Sequence, residues 1–379
     1  MPKKPTLEIQ DTLQKLGENL GFISVSEEKL PSHSAYECYA PTYDVVWYLE
    51  LEKHGFDLCG LEKLFKNDPV LFNRIKKLPF AGFEIEGAST SSKNQVGNFV
   101  NLHGGDFLFG FEIVNNKEAN GEADTYRRGL KIKNYFSDTA ENRNMFFFDN
   151  TYLQKSLQAF KHDPRDNAIH PSNESLPGYH SFGGDKTAIP MYDKIKPLIA
   201  GTGFFVRQDT EHKPLAYTIY QAMLKETASA IDENNANAEY ARFFLRQHYY
   251  KDPESPKISS ARSAQYSFYI PRIDLMMGFT APKGFTEWLR ALADSIGNDY
   301  AHFPLLYALK RKLIDEIYIP LVAIEFEGSL NKHMNGGIYN MSRNAYAGVL
   351  VTDKPAAAHV EFLKKEFGIK NVTSYCAGE

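Results

Sequence analysis

The sequence predicts an α/β protein made of two similar domains, each a mixed central sheet flanked by helices. Two observations carry that expectation. Three short blocks recur in the same order in the two halves of the chain. The segments around them alternate between strand-like and helix-like patterns, again in both halves. The composition agrees: 379 residues with 43% apolar and 24% charged side chains is ordinary for a globular chain of about two to three domains.

Taken in order, apolar positions Ile9, Leu13, Leu16 and Leu20 give residues 5–20 a helical period. Residues 43–49 are β-branched and aromatic around Asp44 and read as a strand. A helix is expected over 60–77, a strand over 80–86, a helix over 92–102 and a strand over 105–114. An amphipathic charged segment near 122–140 precedes a strand at 145–149 and a helix near 152–161. The stretch 163–205 is dense in Pro, Gly, Asn and Ser and reads as loop. A helical stretch is expected over 214–247, a strand over 266–276, helical segments over 285–314 and a strand over 318–327. A helix from about 331, a strand at 345–351, a helix at 355–367 and a last strand near 370–375 complete the chain. The expected division is 1–162 and 214–379 for the two domains, with 163–213 as a loop-rich linker and candidate recognition element.

The repeated blocks carry acids. PTYDVVW at 41–47 matches PRIDLMM at 271–277, FAGFEIEGAST at 80–90 matches LVAIEFEGSL at 321–330, and KNQVGNFVNL at 93–102 matches KHMNGGIYNM at 332–341. Alternate strand residues share a face, so Glu84 points with Glu86, and Glu325 with Glu327. Carboxylates inside apolar strands are costly unless paired or bound to a cation. If the strands carrying Asp44 and Asp274 are neighbours, acids converge in each half, and Mg²⁺ suits such oxygen ligands.

The Pro-x-x-Asp strand, the following Glu-x-Glu strand and the helix after it resemble the PD-(D/E)XK, or restriction-endonuclease-like, nuclease superfamily, twice in one chain. The resemblance implies restriction-endonuclease-like domains in which Asp44 with Glu84, and Asp274 with Glu325, hold Mg²⁺, with Mn²⁺ or Ca²⁺ able to occupy the same sites. Glu86 and Glu327 stand where the superfamily usually has lysine. Lys93 and Lys332, at the start of the next helix, are candidates for a displaced lysine; the alternative is a solvated helix residue. Asn101, Asn340, Arg127, Arg128 and Arg343 are candidate DNA contacts, with a capping or network role equally open for the asparagines. The paired Gly97 and Gly336 are expected to allow close helix packing, and Glu18 is a candidate acid from the first helix.

The implied activity is Mg²⁺-dependent, sequence-specific cleavage of double-stranded DNA by a monomeric pseudo-dimer, one strand per domain. Restriction of foreign DNA implies a companion DNA methyltransferase in the host. Three rivals stay open: one catalytic copy with a binding or regulatory partner copy, a DNA-binding protein that does not cleave, and a metal-free carboxylate-pair hydrolase. The formal net charge of −4 excludes a polybasic nucleic-acid coat. Cys38, Cys59 and Cys376 are too scattered for a disulfide framework or thiolate metal site. No His-Glu-x-x-His, Gly-x-Ser-x-Gly or phosphate-loop motif occurs. The start MPKKPTLEIQ lacks an apolar signal core, and no apolar run approaches about 20 residues. The expectation is therefore a cytoplasmic protein without membrane contact.

Overall fold

The computed structural model describes residues 4–30, 40–87, 90–115, 122–137, 144–161, 163–178, 188–211, 271–328 and 332–378, together with Thr218, Ile219 and Ala222. Within them the chain forms two five-stranded mixed sheets flanked by helices. Expected features at 223–270, including most of the 214–247 helix, lie outside the described residues.

Helix α1 (Lys4–Asn19) leads into β1 (Ile23–Lys29) and β2 (Thr42–Glu50). Helices α2 (Cys59–Leu64) and α3 (Pro69–Lys76) precede β3 (Lys77–Gly87). The single helix expected over 60–77 is broken in two because Asp68 caps the second piece, accepting from the Leu71 amide, and Pro69 starts it. Then follow α4 (Ser92–Gly104), β4 (Phe109–Asn115), α5 (Glu122–Ser137), β5 (Asn144–Asp149) and α6 (Asn150–Ala159). The sheet order is β1-β2-β3-β4-β5, antiparallel as far as β3 and parallel beyond it.

The segment 163–213, expected to be a loop-rich linker, carries helix α7 (Ala188–Ile199) and strand β6 (Phe205–Glu211). Strand β6 pairs antiparallel with β7 (Arg272–Thr280), so the second sheet takes its edge strand from the segment expected to be linker. After β7 come α8 (Lys283–Ser295), α9 (Pro304–Lys310), β8 (Tyr318–Glu327), α10 (Lys332–Asn344), β9 (Ala347–Thr352), α11 (Ala357–Phe367) and β10 (Val372–Cys376). The order β6-β7-β8-β9-β10 repeats that of the first sheet, with the same switch from antiparallel to parallel at its third strand.

The repetition reaches fine detail. Strands β2 and β7 have the same pattern of buried and exposed positions. Each also slips register against its neighbour three residues after its aspartate, between Trp47 and Tyr48 and between Met277 and Gly278. Such irregularities bend a strand and re-aim side chains.

The halves exchange their insertions. Helix α8, inserted between β7 and β8, lies on the first sheet. The Phe285 ring sits 4.8 Å from Phe109, 5.0 Å from Phe80 and 6.0 Å from Phe22, and Trp288 is 5.6 Å from both Trp47 and Phe111. In return, the segment between β2 and β3 lies on the second half. Phe56 stacks on Phe204 at 4.7 Å and meets Phe279 at 6.0 Å. Asn67 donates to the Ser374 carbonyl at 2.9 Å, and Lys364 pairs with Asp68 at 3.0 Å. Helix α2 packs on α7 so closely that a Cβ on Gly60 would overlap the Leu198 carbonyl. One buried apolar cluster therefore runs through both halves.

Within the first sheet, alternation separates two faces. Phe83, Phe111 and Phe146 form a stacked ladder with centroids 4.8 Å apart at each step, and Trp288 packs on it. The intervening residues Glu84, Glu112 and Phe147 share the opposite face, which α4 and α5 cover. Among the described residues no helix is long and apolar enough to cross a membrane.

Candidate active site

Asp44 and Glu84 are brought together by backbone pairing. Val45 pairs with Phe83, which puts Asp44 beside Glu84 on the neighbouring antiparallel strand. Asp44 Oδ2 accepts a 2.6 Å hydrogen bond from the Ile85 amide, fixing the carboxylate next to Glu84. In the second half Leu275 pairs with Ile324, and Asp274 Oδ2 accepts a 2.9 Å bond from the Phe326 amide, the residue after Glu325. The two Asp–Glu pairs are thus built in the same way.

The first site is larger than the expected set. Its register extends across four strands: Glu27 on β1 faces Asp44, Asp44 neighbours Glu84, and Glu84 pairs with Glu112 on β4. Gln10 reaches in from α1, donating to Glu27 Oε1 at 2.8 Å and to Asp44 Oδ1 at 3.2 Å. The first helix therefore contributes Gln10, while Glu18 is exposed. Helix α4 is capped by Ser91, which accepts from the Asn94 amide at 3.2 Å, and it lays Asn98 and Asn101 over the acids. Asn98 donates to Glu86 at 3.0 Å, and the Asn101 side chain bonds to Glu84.

Burial dominates the electrostatics. It pushes Asp44 up to about 6, reinforced by Glu27 and Glu86 and opposed by the Ile85 and Gln10 hydrogen bonds. Burial, and then the charge of Asp44, holds Glu84 well above the usual carboxylate range, with Asn101 opposing. Glu112 is raised by burial and then by Glu86 and Glu84. Glu84 Oε1 and both oxygens of Glu112 are buried with no hydrogen-bond partner among the described residues. In the second half burial, and then Asp274, pushes Glu325 up to about 10, and the two carboxyls hydrogen-bond to each other. That contact requires a shared proton or an intervening cation.

The second site is simpler. Glu325 pairs in register with Leu350, so no acid occupies the place of Glu112. The place of Asn98 is taken by Gly337, where a Cβ would stand 3.6 Å from Glu325 Cγ. On β6, Asp209 stands at the register position facing Asp274, as Glu27 faces Asp44.

The other expected residues fall as follows. Lys93 is exposed in the first turn of α4, and Lys332 begins α10. Arg128 is structural: it donates to Gln95 Oε1 at 2.8 Å and to the Thr90 carbonyl at 2.6 Å, tying α5 to the start of α4. Arg127 is exposed, and Arg343 and Glu327 are half-buried. The Asn340 carbonyl accepts from Asn344 at 2.7 Å. Gly97 and Gly336 face open space rather than a packed helix; the glycine that meets the site is Gly337.

Among the described residues no three His, Cys, Asp or Glu side chains are gathered as a metal site. The donor set that is present is an adjacent Asp–Glu carboxylate pair in each half, half-buried except for the buried Glu84, with partnerless buried oxygens in the first. Mg²⁺ commonly takes one or two carboxylates and completes its shell with water and phosphate oxygens, so the pairs fit a hard cation. No protein-family model, curated protein or solved structure matches the chain.

Proposed function

We infer that the protein is a Mg²⁺-dependent endodeoxyribonuclease of restriction-endonuclease-like fold, with one phosphodiester-cleaving site per half. The observation that carries this reading is the duplicated Asp–Glu pair. In each half an aspartate on a bent strand is locked by a backbone amide beside a glutamate on the next strand, buried in the first half and half-buried in the second. A carboxylate pair raised by burial is unfavourable alone and becomes favourable when a divalent cation is bound.

Asp44 with Glu84, and Asp274 with Glu325, would hold the cation. When bound, it would lower the pKa of water and offset charge developing on the phosphate. The remaining steps belong to the chain. The Ile85 and Phe326 amides keep the aspartates from turning away. Asn98 donates to Glu86, whose carboxylate would orient water or accept its proton. Asn101 steadies Glu84 rather than standing ready to read a base. Attack on phosphorus with loss of the 3′-oxygen leaves 5′-phosphate and 3′-hydroxyl ends. Exposed Lys93 and Arg127 are available to backbone phosphates.

A second reading has one half cutting and the other binding. The specific observation favouring it is the replacement of Glu112 and Asn98 by Leu350 and Gly337 in the second half.

Supercoiled plasmid with MgCl₂ tests both readings. The two-site enzyme linearises it, and Glu84→Gln or Glu325→Gln each leave only nicking, with double-strand cleavage reduced about 10³-fold, the scale of several kcal/mol of lost transition-state stabilisation. Unchanged linear product from one variant assigns cutting to the other half alone. Cleavage that persists in EDTA rejects the metal-dependent mechanism.

A further inference from the structure

We propose that the first half binds one more divalent cation than the second, and that Glu112 is the residue that holds it. This rests on the reading above, in which the Asp–Glu pairs are cation sites, and extends it to the stoichiometry of each half.

Glu112 lies in the middle of an apolar strand, FGFEIV, between Phe111 and Ile113. Its exposure is 0%, and neither carboxylate oxygen completes a hydrogen bond of good geometry among the described residues, the Asn98 side chain being the one neighbouring donor that acts on it. An acid so placed is among the most costly groups a fold can carry unless it is protonated or bound to a cation. The Arg128 guanidinium is engaged by Gln95 and Thr90, and Asn98 also donates to Glu86, so these two neighbours offset the burial of Glu112 only in part. Glu84 pairs with Glu112 on the adjoining parallel strand and also has a partnerless buried oxygen, Oε1. Neighbouring strands lie about 4.8 Å apart, a spacing at which two carboxylates on one face can share a cation. Glu84 and Glu112 would together hold the additional ion, beside the one that Asp44 and Glu84 would hold.

The second half shows the alternative solution to the same packing problem. Leu350 fills the place of Glu112 and belongs to an apolar cluster with Met334, Ile338 and Met341 from α10. Gly337 stands in the place of Asn98. The acid and the asparagine are present together in one half and absent together in the other, as expected of groups that serve one inner cation.

The test is Mn²⁺ binding to the metal-free full chain without DNA, followed by electron paramagnetic resonance or calorimetry. Wild type is expected to bind one Mn²⁺ more per chain than either Glu112→Gln or Glu112→Leu. The leucine variant copies the second half at this position and keeps the test interpretable if the glutamine variant does not fold. Both variants are expected to retain Mg²⁺-dependent nicking by the second half. If both bind as many ions as wild type, while Glu84→Gln and Glu325→Gln each bind fewer, the inference is overturned and the nuclease reading stands. If wild type binds no Mn²⁺, both fall.

Discussion

At the level of Asp44 the first sheet presents an acid from each of four strands: Glu27, Asp44, Glu84 and Glu112. The second sheet has Asp274, Glu325 and then Leu350 at this level, with Asp209 at the backbone register position next to Asp274. The scaffold beneath them is the same, down to the strand irregularity three residues after each aspartate. What has changed is the inner end of the row, where α4 covers an acid with Asn98 while α10 covers a leucine with Gly337 and its apolar neighbours. The comparison separates two kinds of requirement. The Asp–Glu pair and its backbone amide are common to both halves, whereas the inner acid is dispensable to the fold.

The most disruptive way to break the comparison is through the exchanged insertions. Phe285 belongs to the second half but is buried among aromatic rings of the first. Phe285→Ala is expected to cost about 3–5 kcal/mol and to lower the melting of both halves together. Two separate calorimetric transitions, with only one shifted, would show the halves to be independent. The same exchange means that fragments cut between the sheets each lack a piece of their core.

A smaller effect sharpens the comparison through pH. Asp44 titrates near 6 in the folded protein and Glu325 near 10, both above their ordinary values of 3.8 and 4.5. A raised carboxylate stabilises the fold fully below its unfolded value, and that contribution is lost as pH rises through the folded value. Metal-free protein is therefore expected to lose stability from about pH 4 upward. The Asp44 contribution is exhausted near 6 and the Glu325 contribution continues to decline beyond it. Glu325→Gln should flatten the upper part of the profile, and saturating Mg²⁺ should reverse its slope. A melting temperature that climbs between pH 5 and 8 without metal would contradict this.

Much of this arrangement was legible in the sequence because it is repeated. The ordered recurrence of Pro-x-x-Asp, Glu-x-Glu and the helix after it located both Asp–Glu pairs, and period-two alternation set Glu84 on the same face as Glu86. A repeat search finds what two copies share, so it passed over Glu112, whose counterpart is Leu350. The signal for Glu112 was a single acid inside an apolar strand. Glu27 and Asp209 were missed because β1 and β6 are charged edge strands, ISVSEEK and FVRQDTE, without the alternation that marks a half-buried strand. Gln10 carries no charge and lies on a helix whose period points only to its apolar face. Strand β6 and helix α7 were hidden by the Pro- and Gly-rich residues before them, and α7 contains Pro197. Arg128 looked like a free cation because sequence does not show that Thr90 and Gln95 would claim it.

The central claim is that each half gathers its aspartate and glutamate to bind a divalent ion. Anomalous diffraction from crystals grown with Mn²⁺ tests it most directly. The account predicts a peak between Asp44 and Glu84 and another between Asp274 and Glu325. Crystals that show neither peak, with Asp274 and Glu325 sharing a proton in contact with each other, would contradict it.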